Sequence, residues 1–277
     1  MQLKQEKGVP FFYFPILEQT GLVTHAFSTR LGGVSRGCYA TMNLSRTRGD
    51  EESCVTENYR RMADALGVEM ESMVLSYQTH TTNIRKVTAE DAGKGVVRER
   101  DYTDIDGLIT NVPGITLVTF YADCVPLYFV DPVNKAVGLS HSGWRGTVNR
   151  MGKHTLEAMR REYGTKPEDV LACIGPSICK DCFEVGEEVA EAFMREFPQK
   201  MGETALTVPK TAPGKYLVDL WGANQRVLLE AGVLPEHLAV TNVCTQCNPD
   251  LLFSHRVMGT ARGNLCAFLG LKANERN

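Results

Sequence analysis

The run VPLYFV, residues 125 to 130, is followed by DPVNK and then by AVGLSH, residues 136 to 141. Both runs have the β-branched and aromatic content of strands. A parallel neighbour needs a crossover of about a dozen residues or more, and DPVNK is far shorter, so the two runs must pair as an antiparallel hairpin. A doubly wound parallel sheet is thereby disfavoured. Further strand-like runs cover residues 21 to 29, 73 to 77, 115 to 121, 170 to 175, 238 to 243 and 265 to 270. Residues 51 to 66 carry Val55, Tyr59, Met62, Ala63 and Leu66 at helical spacing, with acidic residues in the first turn and Gly67 just past the end. Residues 148 to 163, 186 to 196 and 219 to 231 follow similar patterns. Helices do not alternate regularly with strands, which predicts an α/β chain of the α+β kind with mainly antiparallel sheets.

A chain of 277 residues, 43% hydrophobic and 23% charged, is long enough to bury a core. Folding hides roughly three-quarters of the surface of such a chain, so neither metal nor disulfide is needed for stability. Any metal site therefore has to be explained by chemistry. The net charge is -3, and no third of the chain offers the basic excess that a nucleic-acid backbone requires. No apolar run approaches the roughly eighteen residues of a membrane span, and no cleavable leader pattern is expected. No repeat or proline-rich linker interrupts the sequence, so one domain over residues 1 to 277 is the expectation. Nine unevenly spaced cysteines point to the reducing cytoplasm and to thiol or metal chemistry. Neither GxGxxG nor GxxxxGK[ST] occurs, so nucleotide binding by a glycine-rich loop has no support.

His80, Cys124 and His141 each sit where a strand pattern stops, the position at which scaffolded folds collect reactive groups. Two imidazoles and one thiolate form a three-ligand set for Zn²⁺ that leaves the fourth tetrahedral position open. Their separations of 44 and 17 residues match no compact ligand motif. Spacing alone therefore leaves a competing reading, two capping or core histidines beside a buried thiol. CKDC (179 to 182) and CTQC (244 to 247) have the internal spacing of a structural four-cysteine zinc site. Yet 61 residues separate the pairs, against about 15 to 20 in compact ribbons, so ordinary buried thiols are the expected state of Cys179, Cys182, Cys244 and Cys247. Solvated or capping roles are expected for His154 and His237, while His25 and His255 stay open as pocket-lining candidates. In SGWRGT (142 to 147) two glycines let backbone amides approach a ligand beside Arg145, which suits an anion. Asn43 and Arg46 offer a second anion clamp. The alternative for both arginines is a surface salt bridge, and for Trp144 a core anchor.

Taken together, STRLGGVSRGCYATMNLSRTRGD, SYQTHTTNI, TDIDGLIT, YADCVPLYFVDP, LSHSGWRGT, CIGPSICKDCFEVG and FSHR resemble, in order, the YfiH/YlmD family. Its older label is laccase-domain or multicopper polyphenol oxidoreductase. The resemblance runs from about Gly21 to Phe268. It implies a four-layer α/β/β/α sandwich with mainly antiparallel sheets, similar to cysteine hydrolases. It also implies zinc held by His80, Cys124 and His141, the same three being catalytic. The implied activity is phosphorolysis of adenosine, inosine and methylthioadenosine with phosphate, together with adenosine deamination; a peptidoglycan-editing role is assigned to some members. With that chemistry in view, Arg46 and Arg145 are the candidates for the phosphate, Asn43 for substrate binding, and Asp123 for the ribose or a proton transfer. The chain departs from the family pattern at Cys38, at Ser142, and at Asn264, where an arginine is usual. Copper ranks behind zinc: a blue-copper centre takes two histidines, leaving at most four of the six, too few for a conventional trinuclear cluster. Two other classes stay open, a metal-free hydrolase in which His80 or His141 activates Cys124, and a binding protein whose metal is structural.

Overall fold

The computed structural model describes residues 1–199, 204–210 and 212–273. The chain opens with strand β1 (Gln2–Glu6), β2 (Val9–Tyr13), a short helix α1 (Pro15–Glu18) and β3 (Val23–Ser28). Helix α2 (Glu52–Leu66) leads to β4 (Met73–Leu75), β5 (Ile84–Lys86), β6 (Gly107–Thr110), β7 (Thr116–Tyr121), β8 (Val125–Asp131) and β9 (Ala136–Ser142). Helices α3 (Trp144–Val148) and α4 (Met151–Tyr163) precede β10 (Leu171–Ile174), β11 (Glu184–Val185) and α5 (Glu187–Glu196). The remainder comprises β12 (Thr207–Pro209), β13 (Tyr216–Val218), α6 (Leu220–Glu230), β14 (Leu238–Val240), α7 (His255–Met258) and β15 (Leu265–Leu271).

Two six-stranded sheets result, ordered β1-β2-β3-β15-β7-β4 and β14-β10-β8-β9-β6-β5, with β11, β13 and β12 forming a small third sheet. The DPVNK connection closes the expected antiparallel hairpin, with Val125 opposite Ser142 and Asp131 opposite Ala136. Among the described residues, parallel strands pair at the edges of the large sheets, β4 with β7, β5 with β6, and β10 with β14. Most of the strands that the sequence did not announce are short or polar, and β2, VPFFY, is apolar but interrupted by a proline. β1, for example, reads QLKQE and is largely exposed.

Strand periodicity of two explains how the layers cohere. Leu117 of β7 points into the apolar space between the two sheets with Phe27, Tyr128, Leu139 and Leu269. Its neighbour Val118 points the other way, to Ala26 and Phe268 and to Val55, Tyr59 and Met62 of α2. On β8, Tyr128 faces the inter-sheet core while Leu127 and Phe129 meet Leu156 and Met159 of α4 and Val227 of α6. Strands covered on both sides read as unbroken apolar runs, as VPLYFV does. Local signals close the helices. Gly67, at φ +66°, ends α2 with its N–H on the Ala63 carbonyl, and the Asp219 carboxylate caps α6 through the Gly222 N–H at 2.9 Å. No helix among the described residues is long and apolar enough to cross a membrane.

His25 belongs to this core. It is 3% exposed on β3, and its Nε2 accepts the Phe14 N–H at 2.9 Å. Burial holds its pKa down to about 4 against 6.5 for a free histidine. The fold thus prefers the neutral ring, and an unfolded chain takes up the proton first as pH falls. The contribution is complete above pH 6.5 and is lost as pH falls through the interval to about 4, amounting to about 3 kcal/mol. Urea unfolding at pH 7 and pH 4 is expected to show this loss, reduced by that amount in His25→Gln. An identical pH slope in the variant would refute the assignment.

Candidate active site

Two crossings between the sheets position the site. The chain passes from β4 in the first sheet to β5 in the second, and from β7 in the first to β8 in the second. His80 lies on the first crossing and Cys124 on the second. His141 comes from β9, paired opposite Pro126 of β8. The ligand atoms of His80, Cys124 and His141 all lie within 4.8 Å of one another. The imidazole rings stand 5.0 Å apart and nearly perpendicular, at 78°. His141 is buried, Cys124 half-buried and His80 exposed, so the group opens to solvent on the His80 side.

Asp106, fully buried just before β6, organises both histidines. Its carboxylate accepts the backbone N–H groups of Thr79, His80 and Thr81 and the Thr81 hydroxyl, each at 3.0 Å. His80 sits at φ +67°, unusual for a non-glycine residue, and these bonds fix the turn that puts it there. The same carboxylate lies 2.8 Å from His141 Nδ1, so that nitrogen donates to Asp106 and Nε2 remains for a ligand bond. Sequence reasoning missed Asp106. Its only signal was its place in TDIDGLIT, since 26 and 35 residues separate it from the histidines.

The charges are interdependent. Burial alone would raise the Cys124 thiol, but His141 and His80 outweigh it and bring the pKa down to about 6. Burial would lower His141, but Cys124 and Asp106 push it up to about 9. Burial opposes ionisation of Asp106 too, yet His141 and the Thr79 and Thr81 N–H groups hold it at about 2. Cys124 is therefore poised as a thiolate. Gly143 lies against the group: a Cβ there would sit 3.0 Å from the His80 ring and 3.1 Å from Cys124 Sγ. Two imidazoles and a thiolate converging within ligand distance, one imidazole oriented by a carboxylate, fit a three-coordinate zinc shell with an open position.

The group lines a cavity of about 610 Å³ together with Arg46, Arg48, Arg100 and Arg262, a size suited to small molecules. Arg46 is already engaged by Glu52, by the Val96 carbonyl at 2.9 Å and by Thr56 at 3.2 Å. Arg262 differs. It is 7% exposed, donates to the Gly263 carbonyl at 2.9 Å and to the Asn264 amide, and its Nε has no hydrogen-bond partner. Burial and the nearby Arg48 lower its pKa to about 10. Arg48 itself contacts the Asn264 amide oxygen at 3.4 Å. Among the described residues neither Arg48 nor Arg262 forms an ion pair. Asp123 and Cys124 act on Arg262 only through space, and two neighbouring guanidiniums with no direct ion-pair partner make a site for an external anion.

Asn43, Asp123 and Arg145, also singled out by sequence, are not among the residues that line this cavity. Asn43 is buried and shapes its own loop, bonding Ser45 and Asp50 and accepting the Asn264 N–H at 3.0 Å. Asp123, at φ +86°, accepts the Thr245 hydroxyl at 2.6 Å and the Arg256 N–H at 2.7 Å, so its carboxylate ties loops together. Arg145 stacks on Trp144 at 4.2 Å and lines a different groove, with Glu188 and Glu191, because α3 carries it beyond the end of β9. His255 lines the triad cavity, whereas His154 stands exposed on α4, 3.6 Å from Glu157. The four cysteines expected to be separate thiols are not separate: the sulfurs of Cys179, Cys182, Cys244 and Cys247 lie within 4.8 Å of one another. Spacing along the chain misleads here because β10 and β14 are adjacent.

A mixed α/β chain whose inter-sheet crossings deliver two imidazoles and a thiolate to an arginine-rich cavity has the construction of a metal-site protein. The sequence model described as multi-copper polyphenol oxidoreductase laccase matches residues 24–272, and the chain belongs to that family. It is 35% identical to purine nucleoside phosphorylase YlmD of Bacillus subtilis over 254 residues, covering 90% of this chain and 89% of that one. It is 36% identical over 240 residues to adenosine deaminase RL5 from an unknown prokaryotic organism, covering 86% and 90%. The crystal structure of YfiH from Bacillus licheniformis superposes with a TM-score of 0.90 at 32% identity, covering 98% of this chain and 99% of that one.

Proposed function

We propose that this chain is a zinc-dependent purine nucleoside phosphorylase that accepts adenosine, inosine and methylthioadenosine and also deaminates adenosine. The observation that carries the reading is the unpaired Arg48 and Arg262 pair in the same cavity as His80, Cys124 and His141. A phosphorolytic site needs both an anion cradle and groups that stabilise charge on a departing base. The names of the relatives point the same way. Copper is named in the family description, but His25 is in the core and His154 is exposed on α4, so neither joins the triad cavity.

In phosphorolysis a phosphate oxygen forms a bond to the anomeric carbon as the bond from that carbon to N9 breaks. The electron pair leaves with the purine, which takes up a proton, giving free base and ribose 1-phosphate. Arg48 and Arg262 hold the phosphate. Phe120 and Tyr77, both in the cavity wall, offer faces against which a purine stacks. His255 donates from Nδ1 to the Gly259 carbonyl at 2.9 Å, leaving Nε2 to exchange a proton at purine N7. Zinc held by His80, Cys124 and His141 supplies Lewis acidity toward the departing base or, in deamination, toward water. Asp106 keeps the proton of His141 on Nδ1 throughout.

Chromatography after incubation with the three nucleosides, with and without phosphate, tests the reading. Free base is expected only with phosphate, and inosine from adenosine without it. Arg262→Ala should raise KM for phosphate about 10- to 100-fold, since a hydrogen bond to a charged group contributes about 1.5–3 kcal/mol, with deamination little changed. Zinc-loaded protein inert in both assays would end the proposal. The thiolate character of Cys124 supports a second reading, acyl or amide hydrolysis by a Cys124–His141 pair. Activity that survives chelation and is trapped by a thiol alkylator would favour it.

A further inference from the structure

We propose that Cys179, Cys182, Cys244 and Cys247 form a second metal site, which takes one zinc ion in an all-thiolate tetrahedral shell and staples two loops of the second sheet. The site follows from strand adjacency. β10 and β14 are parallel neighbours in register, Ile174 opposite Val240. Their pairing does not stop at the strand ends. The Thr241 N–H donates to the Ile174 carbonyl at 2.9 Å, Ser177 bridges Cys244 in parallel, and the Thr245 N–H donates to the Ser177 carbonyl at 3.1 Å. The two loops therefore travel side by side and deliver their CxxC turns to the same place.

The geometry is that of a closed structural site. A tetrahedral shell with Zn–S bonds of about 2.3 Å separates the sulfurs by about 3.8 Å. All four sulfurs here lie within 4.8 Å, and those of Cys182 and Cys247 are 3.4 Å apart. The first turn folds back on itself, the Cys182 and Phe183 N–H groups donating to the Cys179 carbonyl at 3.1 and 2.9 Å, while in the second the Asn248 side-chain amide donates to the Cys244 carbonyl at 2.7 Å. The Cys179 N–H points at Cys244 Sγ, 3.3 Å away, a donor of the kind that stabilises a bound thiolate. Lys180, between the first two cysteines, turns away to the Ala205 carbonyl at 2.9 Å and leaves the sulfurs to a cation from outside. Four sulfur ligands and no oxygen select zinc over magnesium or calcium. With four protein ligands no position remains for a substrate, so the role is cross-linking. The loops it joins both bond Asp123, through the Ile178 N–H at 3.0 Å and the Thr245 hydroxyl at 2.6 Å.

Metal analysis of the purified chain, prepared under reducing conditions and loaded with zinc, decides the matter. Wild type is expected to retain about two equivalents after desalting, and Cys124→Ser about one. Cobalt in place of zinc in Cys124→Ser should give tetrahedral visible bands with strong thiolate charge transfer. Cys182→Ser/Cys247→Ser should lose one equivalent and that spectrum. If the double variant does not fold, Cys124→Ser alone decides. A Cys124→Ser protein that holds no metal, or one whose four cysteines resist reduction as disulfides, overturns the proposal. Retention of iron in place of zinc overturns the zinc assignment. The count at this site is independent of whether any nucleoside is turned over.

Discussion

Cys124→Ser is expected to reduce both phosphorolysis and deamination by about 10³-fold, because a lost metal ligand removes several kcal/mol of charge stabilisation at about 1.4 kcal/mol per tenfold. The thiolate is the only anionic ligand among the three, and its charge is what the neighbouring histidines hold at a pKa of about 6. Serine keeps the approximate shape but does not ionise there. The turn should survive, since the Asp123 carbonyl and carboxylate fix it through Ile178, Thr245 and Arg256. Circular dichroism should therefore match wild type while activity collapses. A Cys124→Ser enzyme within tenfold of wild type would remove the triad from the chemistry.

Asp106→Asn carries the second large effect, and it acts at a distance from any substrate. The fully buried carboxylate receives three backbone N–H groups, a hydroxyl and the His141 ring. An amide of the same shape turns an NH₂ toward donors. Zinc affinity is expected to fall about 10- to 100-fold, the usual cost of losing the carboxylate behind a ligating histidine. Stability should fall by about 2–4 kcal/mol as buried donors go unpaired. Isothermal titration with zinc separates the roles. If affinity holds while stability drops, Asp106 supports the turn without tuning the centre.

The sequence made some of this legible and hid the rest for reasons that can be named. Strand ends marked His80, Cys124 and His141 as candidates, but spacing alone left core histidines and a buried thiol open and the family resemblance made them a ligand set, whereas DPVNK announced the hairpin because its length allows nothing else. Asp106 was hidden because its partners lie 26 and 35 residues away, across a sheet whose strand order does not follow chain order. The cysteine pairs were hidden for the same reason, since only the parallel adjacency of β10 and β14 closes a gap of 61 residues. Asn43 and Asp123 were legible as polar motif residues, but a side chain that ties loops of the protein together reads like one that binds a ligand. Arg145 and Arg262 differ only in where the fold delivers them. One lies exposed on α3, the other is sealed beside Arg48.

The position of β15 has a consequence for how such a molecule is made. Although last of the strands among the described residues, it lies in the middle of the first sheet, with Ala267 paired to Phe27 on one side and Thr119 on the other. Without residues 265 to 271, β1 to β3 and β7 with β4 share no strand pairing, and side-chain packing through α2 is left to hold them together. Both crossings that carry His80 and Cys124 depart from the second fragment. Loss of β15 would therefore loosen the fragment from which both of those crossings depart.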